Sequence, residues 1–221
     1  MRTATQEGTQ VAFHYAVAVD HAAADRWLTA AERQAWAAVP WPERRADWRA
    51  GRIAAKRAAA GALGLDDPTR VALVPLTGGA PRIALRGPFG MHRVVPLALS
   101  LAHRSGRAVA AATTEPGELG IDLEVAGQVR AAHAGYYLSR AERALAGWYG
   151  LTALWTLKEA AWKALRCDDN VPFTALELRF DATGAVNAVS LGGTVRRATA
   201  GVFHPWPGYV LAVVWLPWEA R

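Results

Sequence analysis

Two stretches carry acidic and basic side chains at spacings that suit chemistry. In Gly120-Ile-Asp122-Leu-Glu124 the acids alternate with apolar residues. On a strand, Asp122 and Glu124 therefore share one face, and Ile121 and Leu123 take the other. Two neighbouring carboxylates repel each other, which an exposed sheet edge tolerates; that is the commoner setting of such a pair. A hard cation offers a different reason for them, because Mg²⁺ takes a few carboxylate oxygens and completes its shell with phosphate and water. In Trp155-Thr-Leu-Lys158-Glu159-Ala-Ala-Trp162-Lys163, Glu159 and Lys163 lie one helical turn apart. On a surface that pair contributes about 0.3–0.5 kcal/mol. Lys158 falls inside the apolar stripe Leu151, Leu154, Trp155, Trp162 and Leu165, where an ammonium must snorkel, pair or act.

Two further places suit anions. His103 closes the run Leu97-Ala-Leu-Ser100-Leu-Ala-His103 before a glycine turn, with Arg104 and Arg107 beside it. Such a histidine is often structural, but it can also hold a phosphate. Gly51-Arg52-Ile-Ala-Ala-Lys56-Arg57 makes a basic helix face, either solvated or an anion site. Lysine occurs only at Lys56, Lys158 and Lys163 in a chain otherwise rich in arginine. Arginine and lysine are not interchangeable, so these three positions ask for a compact ammonium.

The elements that position these residues form a pattern used twice. Thr29 with Glu32, and Ser139 with Glu142, are capping boxes that open helices 110 residues apart. Trp48 to Leu63, stopped by Gly64, and Trp155 to Leu165 read as long helices. Trp48, Arg52 and Lys56 share their spacing with Trp155, Glu159 and Lys163, and Asp66-Asp67 matches Asp168-Asp169. These features point to an internal duplication. It aligns Arg52 with Glu159. Strands are expected over Val11 to Val19, Val71 to Leu76, Val94 to His103, Ala175 to Phe180, Ala188 to Leu191 and Tyr209 to Trp215. Leu76 to Arg82 reads as a turn, Arg107 to Thr114 and Glu118 to Glu124 as a hairpin, and residues 1–10 as a loose tail. The fold class is α+β: two similar α+β halves, 1–108 and 109–221, forming an intramolecular pseudo-dimer.

Composition narrows the function. The 221 residues are 52% hydrophobic and 20% charged, enough to build a core and unlike a disordered chain. One cysteine, Cys167, excludes an internal disulfide framework and a CxxC zinc site. No apolar run reads as a membrane span or secretory leader, so a cytoplasmic protein is expected. The net charge of +6 suits nucleic acid, a membrane surface or an acidic substrate alike. No RNA-binding or zinc pattern and no Walker loop appears.

The order Ser100-x-x-His103, then Gly-Ile-Asp122-Leu-Glu124, then Trp155-x-x-Lys158-Glu159-x-x-x-Lys163 resembles the 4′-phosphopantetheinyl transferases, specifically the larger, Sfp-type, pseudo-dimeric class. The resemblance runs from about Leu28 to the last strand. It implies transfer of the phosphopantetheine arm of coenzyme A to a serine of an apo acyl or peptidyl carrier protein, releasing 3′,5′-ADP. By the same resemblance Asp122, Glu124 and Glu159 are ligands of Mg²⁺ or Mn²⁺, and Glu159, Lys163 and Lys158 are catalytic. Arg52, Lys56, His103 and Lys158 then contact coenzyme A. The first half becomes the coenzyme A phosphate-binding half, and the second the metal-binding, catalytic half. The chain departs from the family at Ala102, often serine, and at Ala80, often lysine. Arg82 is the nearest replacement cation, although it points to the opposite face of a strand. The implied protein is a monomer in secondary metabolite biosynthesis. It acts on acidic carriers and binds neither nucleic acid nor membrane. The competing reading is a basic anion- or nucleic-acid-binding protein without this catalysis.

Overall fold

The computed structural model describes residues 2–6, 9–19, 22–76, 79–87, 92–167 and 170–218, with the side chains of 2–12, 19, 22–24, 75–76 and 79–81 excepted. Asp168 and Asp169, expected to match Asp66 and Asp67, and the side chain of Ala80 lie outside what is described. The fold is α+β, and the chain gathers into two compact units: Met1–Arg2 with Ala12–Glu115, and Thr3–Val11 with Pro116–Arg221.

In the first unit, α2 (Pro42–Ala62) packs on a sheet whose strands include β2 (Thr9–Val19), β6 (Ala98–Arg104) and β7 (Arg107–Thr113). Within this unit the sheet order is β2-β7-β6; β1 spans Arg2–Gln6, of which Thr3–Gln6 group with the second unit. Residues expected as a loose tail therefore pair as strands, because a partner edge is available to them. The helix starts six residues before the expected Trp48. Pro42 sits in its first turn, where a missing N–H costs nothing. Alanines meet across the interface: Ala50, Ala54 and Ala58 of α2 with Ala108, Ala110 and Ala112 of β7 all lie in one core. Small side chains on both faces let helix and strand approach closely. A separate sheet joins β3 (Val71–Leu76), β4 (Gly79–Arg86) and β5 (His92–Val94), so most of the expected turn at 76–82 is strand.

The expected hairpin over 107–124 does not form. β7 pairs with β2 and β6, whereas β8 (Gly117–Val125) pairs along its whole length with β13 (Tyr209–Pro217). Each strand has a longer match elsewhere, and Glu115-Pro116 carries the chain from one sheet to the next. The true hairpin is β6–β7. Its turn residues Ser105 and Gly106 have φ of 53° and 72°, the left-handed pair that a two-residue hairpin needs.

In the second unit, α6 (Leu151–Leu165) covers the sheet β12-β13-β8, where β12 spans Thr199–Phe203. Leu157, Ala160, Ala161 and Ala164 of the helix share a core with Ala212, Val214 and Leu216 of β13. A further sheet of β9 (Leu176–Phe180), β10 (Val186–Leu191) and β11 (Thr194–Arg197) completes the unit. Both expected capping boxes are present, at α1 (Ala30–Ala37) and at α4 (Arg140–Ala144), which lies between the short helices α3 (Ala131–Ala134) and α5 (Ala146–Tyr149). Among the described residues no helix is long and apolar enough to cross a membrane.

Candidate active site

The acidic strand and the Lys-Glu helix meet because Gly120 lets them. A Cβ on Gly120 would run into the Ala160 carbonyl oxygen and the Ala164 amide, so only glycine allows α6 to lie this close to β8. Period two puts Glu118 and Asp122 on the same face as Gly120. Their partners on the helix and just past its C-terminus confirm that orientation: Arg166 Nη2 lies 2.8 Å from Glu118 Oε2, and Lys163 Nζ lies 2.7 Å from Asp122 Oδ1. Asp122 is 8% exposed, and its Oδ2 is buried without a hydrogen-bond partner.

Glu159 completes the group electrostatically. Burial, with the charges of Asp122 and Glu124, pushes its carboxyl up to about 7, against the pull of Lys163. Desolvation and like charge both penalise the anion here. Among the described residues no three His, Cys, Asp or Glu side chains converge closely enough to clasp one ion as they stand. The donor chemistry nevertheless fits a hard divalent cation: oxygen ligands only, one buried carboxylate oxygen without a donor, and mutual repulsion that a cation would relieve. Asp122, Glu124 and Glu159 are the residues that would hold it.

Lys158 takes a different place from the one expected. It is 1% exposed; its Nζ donates to Tyr137 O at 2.6 Å and to Glu142 Oε2 at 2.9 Å. Glu142 Oε1 in turn accepts the Leu178 amide at 2.9 Å. A lysine so enclosed has no proton or charge to offer a substrate phosphate. It pairs, rather than snorkels or acts. Glu142 is the functional partner that sequence reasoning missed, although a signal existed: it is the only acid between Glu124 and Glu159.

The first unit repeats this clasp. Lys56, 0% exposed, donates to Glu32 Oε2 at 2.6 Å. Burial opposes the Glu32 charge, but Lys56, the Thr29 amide and Arg52 together hold its carboxyl below the ordinary value. Lys56 thus corresponds to Lys158, five residues away from the alignment that the tryptophan spacing suggested. Arg52 does not stand in the place of Glu159. Lys56 is withdrawn from any ligand, as Lys158 is.

Arg52 and His103 are brought together. With Asp47, Trp48, Gly51, Leu73 and Leu101 they line a cleft of about 180 Å³ in the first unit. The Arg52 guanidinium lies 4.7 Å from the Trp48 ring centre and donates to Leu73 O at 3.4 Å. Arg82 is exposed on β4, across from Val74, outside this cleft. Asp47 was not singled out from the sequence, and Trp48 only as part of the repeated spacing; nothing in the sequence marks either as lining a cleft.

Residues 118–214 match the family model of the 4′-phosphopantetheinyl transferase superfamily. Among solved structures, the chain is similar to the holo-[acyl-carrier-protein] synthase of Thermotoga maritima at 20% identity, with a TM-score of 0.35. That likeness covers 46% of this chain and 64% of the other, less than two thirds of its length. No curated protein matches the chain.

Proposed function

From the match of residues 118–214 to the 4′-phosphopantetheinyl transferase superfamily, we propose that this chain moves the phosphopantetheine group of coenzyme A to a serine of an apo carrier protein, releasing 3′,5′-ADP with Mg²⁺ dependence. The serine hydroxyl attacks the phosphorus that bears the pantetheine arm. A new P–O bond forms, the bond to the 3′,5′-ADP oxygen breaks, and the serine proton leaves to a base. Mg²⁺, when bound by Asp122, Glu124 and Glu159, supplies neutralisation of pyrophosphate charge.

The observation that carries this reading is the cluster of Asp122, Glu159 and Lys163 assembled where α6 crosses Gly120. Glu159, beside the charges of Asp122 and Glu124, is the group we assign to accept the serine proton. Lys163, one turn along, supports Asp122 and offsets charge on the departing phosphate. Lys158 acts through Glu142 and the seat of the helix, as a positioning residue. In the first unit Arg52 and His103 contact phosphates of coenzyme A. The basic balance of the chain, +6, favours an acidic carrier.

The test is intact-mass spectrometry of an apo carrier protein incubated with the protein, coenzyme A and Mg²⁺, with a chelator control. A metal-dependent gain of one phosphopantetheine on the carrier is the expected result. No gain across several carrier types, together with no coenzyme A binding by calorimetry, overturns the reading.

A further inference from the structure

Arg166 ends α6 in a conformation that suits glycine. Its φ is 53°, in the left-handed region. The Arg166 amide donates to Lys163 O at 3.1 Å and the Cys167 amide to Trp162 O at 3.2 Å, which closes the turn. Glycine is the usual residue in such a turn, because a Cβ is strained there. The chain uses glycine at eight of its ten described positive-φ positions, so an arginine here needs a reason. Its side chain reaches back to β8, where Nε and Nη2 meet the same oxygen, Glu118 Oε2, at 3.0 and 2.8 Å. An ion pair with so exposed a guanidinium adds little to fold stability. Stability therefore does not explain the strained backbone, and strain that persists for another reason points to function.

The place of the pair supplies that reason. Glu118, Gly120 and Asp122 share one face of β8. α6 crosses at Gly120, where no side chain stops the helix from turning or sliding on the strand. Asp122 with Lys163 ties the helix on one side of Gly120, and Glu118 with Arg166 ties it on the other. The two strand positions lie about 13 Å apart, four residues of extended chain. One tie leaves a pivot, whereas two fix an angle. We propose that Arg166 is a positioning residue of the acidic site: its tie to Glu118 sets the angle of α6 on β8 and so holds Lys163 on Asp122. Its consequence for turnover rests on the function proposed above.

The experiment reads Lys163 directly. Lysine occurs only three times, and Lys56 and Lys158 are enclosed, so acetic anhydride labelling followed by peptide mass spectrometry reports the freedom of the Lys163 amine. Arg166→Ala keeps the left-handed strain and loses the tie; Arg166→Gly relieves the strain and loses the tie. Both are expected to label at Lys163 about threefold faster than wild type and to modify carrier about threefold more slowly, the size of one exposed ion pair. The Tm of Arg166→Gly is expected about 2 °C above that of Arg166→Ala. Turnover then follows the pair while stability follows the backbone, which a merely structural arginine would not produce. Adding Glu118→Gln to Arg166→Ala is expected to cause no further loss, since both changes break one contact. Unchanged Lys163 labelling overturns the proposal. So do wild-type turnover in Arg166→Gly, a Tm for Arg166→Gly no higher than for Arg166→Ala, and a further loss in the double variant. Faster labelling in both variants with no carrier modification by the wild type sinks the proposed function and leaves the tie standing.

Discussion

The two units share one device and use it for different ends. In each, the third helical residue of a capping box reaches a lysine buried on the long helix: Glu32 to Lys56, and Glu142 to Lys158. The first clasp is partly open, with the Glu32 side chain 15% exposed. The second is closed: Glu142 is 0% exposed, and it also accepts a backbone amide from β9. The neighbour of each lysine differs more. After Lys56 comes Arg57, exposed and donating to Val17 O. After Lys158 comes Glu159, half-buried and repelled by the charges of Asp122 and Glu124. A duplicated ion pair can thus hold the frame constant while the residue beside it decides between a basic surface and an acidic site.

The largest effect expected from this contrast is in turnover. Glu159→Gln should lower carrier modification by about 10³-fold, the size of a lost acid–base group, while Arg57→Gln changes it less than twofold. Intact-mass time courses on both variants check this, and equal losses would break the contrast. Lys163→Ala should fall between them, with Asp122 left without its donor.

Next comes stability. Lys158→Met leaves Glu142 charged and enclosed, which costs about 3–5 kcal/mol. Lys56→Met should cost less, because the Glu32 side chain reaches solvent and can be hydrated once its lysine is gone. Urea midpoints of the two variants measure the gap, and a larger loss for Lys56→Met would reverse the ranking of the clasps. Smaller still is the effect of Arg52→Ala, which should raise KM for coenzyme A about tenfold with kcat nearly unchanged, as for one charged hydrogen bond.

The smallest effect is in pH dependence, where the two units should slope in opposite directions. The Glu32 carboxyl is held below its ordinary 4.5. Its contribution is complete above that value and lost as pH falls through the lower folded value. Glu159 is raised from 4.5 to about 7, so the metal-free protein should lose stability as pH rises across that window. Glu159→Gln should flatten the neutral side of a Tm-against-pH curve and leave the acid side alone. Mg²⁺ should likewise flatten it, by favouring the ionised carboxyl.

Local signals were legible in the residues themselves. Both capping boxes, the two long helices and the alternation of Asp122 with Ile121 and Glu124 with Leu123 depend on near neighbours, and the structure has them. The grouping of Asp122 with Glu159 and Lys163 was legible only through the family resemblance, since 41 residues separate Asp122 from Lys163. Partner choice between strands was not legible. Nothing local in Arg107–Thr113 says that it prefers β2 and β6 to the strand next in sequence, because sheet pairing is decided by which edges the rest of the chain presents.

The sequence alone thus determined the duplicated α+β plan and the residue types of the acidic site, since helix caps and period-two faces are written in near-neighbour spacing. Only the tertiary structure decided which lysines are withdrawn and which are available. An ammonium's role depends on whether a carboxylate from a distant helix meets it away from water, and that is a property of packing. Lys56 and Lys158 were met in this way; Lys163, one turn beyond Glu159, remained at the acidic site.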